Sequence, residues 1–414
     1  MYGVLNVYLK NRFVGQFSWE SERNNYDFRY DAAYLADPLA EPLSFALPLR
    51  SEPFDSDTAY NYFANLLPPQ VVRKKLEKFL HISKNNVFGF LKAIGGDCAG
   101  AVALYAPGFK TYLDGEERLR KLTDAEASEI LKSLRRRPLY ALAESGYRYS
   151  GAGAQDKLVA RIDGDDLVLP LYGTPSTHII KPGAEFFPES VANEHFCQQL
   201  AKRVDVPSAD SRIMTFGGDR YYAVARYDRE MVDGKPQRLH QEDFCQALSV
   251  DPEVKYEDDG GPGIARCFEV LGRLHMPLRE TFALLDMFVY NYLIGNADAH
   301  AKNYSILYVK GVARLAPLYD AVCTAVYPDL SEEFAMSVGG EKSFGRITRE
   351  SFSAMASECG LSPKLVLARL DAMAAKILPA ARKLADELGP LWPSEVYEKI
   401  IAVIGKQIAA AGNS

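Results

Sequence analysis

The chain has 414 residues, enough for two or three lobes with substantial cores, and its 48% hydrophobic and 25% charged residues exclude a disordered or fibrous class. Its 48 Lys and Arg against 54 Asp and Glu give a net charge of -6, which opposes broad adhesion to nucleic acid while leaving room for a local basic patch. Six scattered cysteines without a C-x-x-C pair argue against a zinc ribbon, a thioredoxin motif or a disulfide scaffold; with no leader-like N-terminus and no run of about 18 apolar residues, a soluble cytoplasmic protein is expected.

From Val4 to Trp19 apolar and polar residues alternate on either side of Lys10-Asn11-Arg12, the pattern of a β-hairpin. Helical spacing follows from Asp57 to Leu67, stopped by Pro68-Pro69, and again from Val71 to Leu80. The basic runs Arg73-Lys74-Lys75 and Arg135-Arg136-Arg137 read as solvated helix faces. IGGDCAGAVALY (94–105) predicts tight turns and a strand, and a first boundary is placed near Pro107-Gly108. Thr123 opens a capped helix. Short strands LVARI, LVLPLY, THIIK, SRIMTF and RYYAVARY then surround one helix, Ser190 to Val204. Beyond Glu242 helical periodicity prevails, with one strand pair near SILYV and ARLAP.

Chemistry concentrates in IGNADAHAKN (294–303), between an apolar helical run and the strand YSILYV. Asp298 and Asn303 have the Asp-to-Asn spacing of a kinase catalytic loop, and Asp320 in LAPLYDAV follows a short β-ribbon, as the metal-binding Asp does in kinases. Asn303 and Asp320 would supply oxygen ligands to Mg²⁺, Asp298 would orient the nucleophile, and His300 and Lys302 would lie beside the transferred phosphate. Taken alone, such a loop is more often a polar turn with an N-cap Asp; the surrounding pattern reverses that weighting.

Upstream, SGAGAQDK (150–157) could let backbone N–H groups approach phosphates, although a small-residue turn is usually only a turn. Lys181 ends an apolar strand, where it binds phosphate and pairs with Glu194 or simply snorkels off the strand end. Ala225, Arg226 and Tyr227 end the small lobe where a hinge would face adenine; Asp228 binds ribose, braces the loop or is an ordinary turn residue.

In order along the chain, PLSFALPL, NYFANLLPP, IGGDCAGAV, SGAGAQDK, THIIK, VKYEDDGGPGIAR, IGNADAHAKN and LYDAV resemble the HipA family of serine/threonine kinase toxins from bacterial toxin-antitoxin pairs. The resemblance implies an α+β fold: a two-lobed, protein-kinase-like, phosphoinositide-kinase-related architecture with an N-terminal α/β accessory subdomain (1–107), a kinase N-lobe (108–227) and a mostly helical C-lobe (228–414). It implies ATP and Mg²⁺ as cofactors, Asp298 as the catalytic residue, and Asn303 and Asp320 as metal ligands. Lys181 would contact phosphates, and Ala152, Gly153, Ala154, Gln155, Asp156 and Lys157 would cover the nucleotide. Ala225 to Tyr227 would form the hinge, and His300, Ala301, Lys302, Asn303, Tyr319, Asp320, Ala321 and Val322 would line the pocket. Ser150 stands at the family's autophosphorylation position; a local strand-end hydrogen bond is its simpler reading.

The family further implies a HipB-like helix-turn-helix antitoxin that carries operator DNA recognition, and an aminoacyl-tRNA synthetase, glutamyl-tRNA synthetase first, as substrate. Two departures stand out. Gly151 replaces a residue that is often β-branched, which predicts a more mobile loop, and Pro182 to Ala192 is short for an activation loop. A pseudokinase co-repressor and a small-molecule or lipid kinase are the competing readings.

Overall fold

The alternating residues from Val4 to Trp19 form the expected hairpin, with β1 (Tyr2–Leu9) antiparallel to β2 (Arg12–Glu20). Lys10 and Asn11 both have positive φ, 49° and 66°, the primed-turn geometry whose twist suits a two-residue connection. β3 (Asn25–Tyr30) and β4 (Val102–Tyr105) complete a sheet ordered β3-β2-β1-β4. This is a computed structural model that describes residues 2–140, 146–151 and 153–412. One compact unit comprises Met1–Pro182, Met214–Glu253 and Leu307–Val312; the other comprises Gly183–Ile213, Val254–Ile306 and Ala313–Ser414.

In the first unit, α1 (Ala32–Leu35), α2 (Ser56–Ala64), α3 (Gln70–Leu80) and α4 (Val87–Ile94) accompany that sheet. Aromatic rings fill the space between them: Phe63 of α2 lies 4.3 Å from Phe17 and 5.5 Å from Phe28, centroid to centroid. The basic run on α3 is not wholly solvated. Arg73 turns inward, 1% exposed, and its guanidinium meets Glu253 at 3.1 Å, whereas Lys74 and Lys75 face water.

α5 (Asp124–Ser133) begins at Thr123 in the capping box with Glu126 that the spacing predicts. β5 (Arg118–Lys121), β6 (Leu158–Asp163), β7 (Asp166–Leu171), β8 (His178–Pro182), β9 (Ser211–Phe216) and β10 (Asp219–Ala225) form a sheet ordered β5-β7-β6-β8-β10-β9. β6 to β10 match the apolar runs of the sequence and each buries two or more residues, whereas β5, RLRK, buries none and has no such run to announce it.

A ribbon of β11 (Arg229–Val232) and β12 (Lys235–Arg238) follows, which helical expectation after residue 228 does not anticipate. It delivers Arg229 and Arg238 to a buried ionic cluster. The Asp97 carboxylate accepts from Arg229 (2.7 Å), Arg238 (3.0 Å), Arg226 (3.3 Å) and Ser176 Oγ (2.7 Å), and Asp228 accepts from Arg226 (2.7 Å) and the Gly100 N–H (2.6 Å). Burial alone would push the Asp97 carboxyl up, but Arg229, Arg226 and Arg238 together outweigh it and hold the group well below the usual carboxylate range.

β13 (His240–Asp243) leads into α7 (Phe244–Ala247) and forms a three-stranded sheet with β14 (Ser305–Val309) and β15 (Val312–Leu315). Glu242 is wholly buried, with Oε1 accepting from the Phe45 N–H (3.0 Å) and Tyr308 Oη (2.5 Å) and Oε2 meeting Ser44 Oγ (2.5 Å). The serine of PLSFALPL thus has a structural use.

The second unit is built on α6 (Ser190–Arg203), α8 (Ile264–Arg273), α9 (Leu278–Leu293), α10 (Arg349–Glu358), α11 (Pro363–Leu388) and α12 (Val396–Gly412). Val366, Leu370, Met373, Ile377, Ala381 and Leu384 recur three or four residues apart and give α11 one buried face, against α6, α9 and α12. The helix continues through Pro379, which removes one ladder N–H. A second strand pair, β16 (Glu333–Val338) with β17 (Glu341–Ser343), corrects the expectation of a single pair beyond Glu242.

Candidate active site

The described site residues fall into two groups, one in each unit. In the second unit, buried α9 ends at Leu293 and releases the polar run 294–303. Its backbone is held by side chains at short range. The Asp298 N–H donates to Asn296 Oδ1 (3.1 Å), the Ala297 N–H to Thr324 Oγ1 (2.7 Å), and Asn303 Nδ2 to the Asp298 carbonyl (2.7 Å). Asn296 Nδ2 also donates to the Asp320 carbonyl at 3.4 Å, and Tyr319 Oη bonds the Lys302 carbonyl and Ser305 Oγ, each at 2.7 Å. The Asn303 side chain and the backbones of Asp298 and Asp320 therefore belong to one hydrogen-bonded network, with Asn296 between them. Asn296 and Thr324, its supports, carry no sequence signal beyond lying near the motif.

The Asp298 side chain is 55% exposed, and its Oδ1 accepts from Tyr256 Oη at 2.6 Å. His300 is buried beside it, Nε2 standing 3.6 Å from that same oxygen and 2.7 Å from Lys255 Nζ. Burial lowers the imidazole to about 4, Asp298 opposing the shift and Lys255 and Lys302 adding to it, so the ring is neutral at pH 7. An ammonium can only donate, so Nε2 accepts from Lys255 and the ring proton is on Nδ1. That buried Nδ1 has no partner among the described residues. Ala301 is buried, Lys302 and Val322 are partly exposed, and Ala321 is buried. Asp320 adopts φ +51°, a left-handed conformation that Asp tolerates better than most side chains.

The chemistry of these donors suits Mg²⁺ and a nucleotide. With Nδ2 of Asn303 donating to the Asp298 carbonyl, Oδ1 is the atom left to ligate, and a carboxylate at Asp320 completes a pair of hard oxygens. The unpartnered N–H of His300 is a donor that an anionic ligand could satisfy.

In the first unit, Lys181 on β8 is 5% exposed, opposite Tyr222 of β10, with Nζ 5.6 Å from the tyrosine ring centroid. The pairing of Leu158 with Ile180 puts the preceding residue, Lys157, opposite Lys181 on the same face of the sheet. Lys157 is 5% exposed as well. Gly153 has φ +95°, a conformation that favours glycine, and Lys157 Nζ lies over it, 2.7 Å from where a Cβ would be. Ala154 is exposed, Gln155 and Asp156 are half-buried, and Ala152 lies outside the described residues. Two buried lysines on one face beside a glycine turn are suited to polyphosphate. Glu194 is buried on α6 of the second unit.

Ser150 is fully buried, and its hydroxyl donates to the Leu66 carbonyl at 2.7 Å, a partner 84 residues away that replaces the local bond of the simpler reading. Gly151 is buried too. A Cβ would fall 1.9 Å from the Tyr149 hydroxyl, so close packing favours glycine here. At the expected hinge, the Arg226 N–H donates to the Thr177 carbonyl (2.8 Å) and its guanidinium enters the ionic cluster, while Ala225 and Tyr227 are half-buried. Asp228 is 3% exposed and committed to that cluster, which decides for bracing over ribose binding or a surface turn.

An α+β fold in which a buried helix releases an Asp-x4-Asn loop, followed by a β-ribbon and a second Asp, is of the kinase-like class. Family models described as the HipA N-terminal domain and the HipA-like C-terminal domain match residues 5–105 and 149–381. The chain belongs to the HipA family, a family of kinases. It is 38% identical to a Sinorhizobium fredii protein named "Putative kinase Y4mE", over 94% of this chain and 93% of the relative. Identity to the serine/threonine-protein kinase toxin HipA of Shewanella oneidensis is 28%, over 94% and 90% of the two chains. The structure matches that of HipA solved in the Shewanella oneidensis HipA, HipB and operator DNA complex with a TM-score of 0.83 and 27% identity, covering 98% of this chain and 96% of the other. No helix among the described residues is long and apolar enough to cross a membrane.

Proposed function

We propose that this chain is an ATP- and Mg²⁺-dependent serine/threonine protein kinase toxin. The observation that carries the reading is the network joining Asp298, Asn303 and Asp320. Asn303 and Asp320 would hold Mg²⁺, which supplies charge neutralisation at the phosphates. Asp298 accepts the proton of a Ser or Thr hydroxyl as that oxygen attacks the γ-phosphorus and ADP departs. Lys157 and Lys181 bind phosphate oxygens, residues 153–157 cover the nucleotide, and the neutral imidazole of His300 donates through Nδ1. The backbone at Ala225 to Tyr227 receives the adenine edge.

The three-part division at 107 and 227 describes the accessory subdomain, nucleotide lobe and catalytic lobe of this enzyme. Its acceptor is a translation factor, an aminoacyl-tRNA synthetase such as glutamyl-tRNA synthetase, and the result is growth arrest in the cytoplasm. A HipB-like antitoxin neutralises it and brings it to operator DNA. Autophosphorylation at Ser150 switches it off, because a phosphate with nearly two negative charges cannot occupy a fully buried site and must displace the turn that follows. The direct test is incubation with γ-labelled ATP and Mg²⁺, followed by phosphoamino-acid analysis of a lysate. Label in phosphoserine or phosphothreonine is expected; label only in lipid or small molecules would overturn the protein-kinase reading.

A further inference from the structure

The loop VKYEDDGGPGIAR (254–266) has no part in the reaction as proposed, yet its side chains meet the catalytic loop directly. Tyr256 Oη donates to Asp298 Oδ1 at 2.6 Å, and its ring stands edge-on to His300, 5.1 Å between centroids at 78°. Lys255 Nζ bonds His300 Nε2 at 2.7 Å and lies 4.7 Å from the Tyr256 ring centroid. The loop itself is fastened. The Tyr256 carbonyl accepts from the Asp259 (3.1 Å) and Gly261 (2.8 Å) N–H groups, the Glu257 carboxylate accepts from Ser337 Oγ (2.9 Å), and Asp258 meets Lys342 at 2.6 Å. Its anchors are on β16 and β17, far along the chain from the motif they support.

Asp298 is otherwise an exposed side chain whose carboxylate could rotate. No donor among the described residues bonds its Oδ2. A hydroxyl fixed on Oδ1 selects one rotamer and leaves Oδ2 for an incoming hydroxyl, and a phenol donating to a carboxylate is among the stronger neutral-donor hydrogen bonds. We propose that Tyr256 is a positioning residue for phosphoryl transfer, holding Oδ1 of Asp298 so that Oδ2 is presented to the acceptor. Burial, then the charge of Asp298, pushes the phenol above its usual range, so it remains a donor across the working pH. This inference rests on Asp298 being the catalytic residue.

The test is Tyr256→Phe, which keeps the ring against His300 and Lys255 and deletes only the hydroxyl. The rate at which γ-labelled MgATP labels the chain itself is measured over a range of ATP concentrations, beside wild type and Asp298→Asn. The maximal rate is expected to fall about ten- to a hundredfold, the loss of one hydrogen bond to a charged group, while the ATP concentration giving half that rate changes less than twofold. A maximal rate within twofold of wild type overturns the proposal. So does a rise, which would mean that Tyr256 occupies the acceptor's place on Asp298 and blocks it. If Asp298→Asn labels as fast as wild type, the kinase assignment fails; if Asp298→Asn is inactive and Tyr256→Phe is not slowed, only the role of Tyr256 fails.

Discussion

Replacing Asp97 by Asn tests how far the first unit depends on its buried ionic cluster. Three guanidiniums, Arg226, Arg229 and Arg238, face two carboxylates, Asp97 and Asp228, and all five side chains are 5% exposed or less. The net charge of the group is therefore +1, and Asp97→Asn raises it to +2 with no water to screen the change. Every partner of the Asp97 carboxylate is a donor, so the amide NH₂ of Asn also meets N–H or O–H groups wherever it points. Removing one member of a buried pair costs about 3–5 kcal/mol. With a urea dependence of about 3 kcal/mol per M for a unit of this size, the midpoint should fall by roughly 1 to 1.7 M. The assay is urea unfolding at pH 7 followed by near-UV circular dichroism. Because the Asp97 carboxyl is depressed in the fold, its stabilisation is present above the ordinary value of 3.8 and is lost as the pH falls below it. A midpoint shift corresponding to less than about 1 kcal/mol would refute the electrostatic argument.

Glu242 behaves in the opposite sense: burial raises it to about 7 against 4.5 unfolded, so stability declines as pH climbs from 4.5 to 7, by at most about 3 kcal/mol, and Glu242→Gln should remove that slope. Parallel pH profiles for the two proteins would contradict this. Asp320→Ala should weaken MgATP binding by about tenfold or more in calorimetry, since one of two protein oxygen ligands is lost; unchanged affinity would count against the ligand assignment. Phosphorylated chain should bind MgATP more weakly than phosphatase-treated chain, and Ser150→Ala should retain binding; equal affinities would remove the switch.

Residues whose spacing encodes their chemistry were legible in the sequence. Asp298 and Asn303 lie on one loop and Asp320 follows the ribbon of β14 and β15, so all three lie close along the chain. The capped helix at Thr123 and the hairpin at Lys10-Asn11 are readable for the same reason, being local devices. What escaped is long-range. Tyr256 reaches Asp298 across 42 residues and Ser150 reaches Leu66 across 84. Arg73, in a run of basic residues, gives no sign in sequence that it alone turns inward to Glu253. Asp228 looks like a turn residue until Arg226, Arg229 and Gly100 are seen around it. The strands β11, β12, β16 and β17 are three to six residues each, too short for a period of two to declare itself.

Whether Asp298 drives phosphoryl transfer to protein hydroxyls is decided by comparing wild type with Asp298→Asn under γ-labelled ATP and Mg²⁺ in single turnover. Wild type should label serine or threonine, and Asp298→Asn should be at least about a hundredfold slower, because the acceptor hydroxyl loses both its orienting group and its proton acceptor. Circular dichroism and MgATP affinity should be unchanged, since Asp298 is exposed and is not one of the metal ligands. A folded Asp298→Asn protein that transfers phosphate at the wild-type rate would contradict that role.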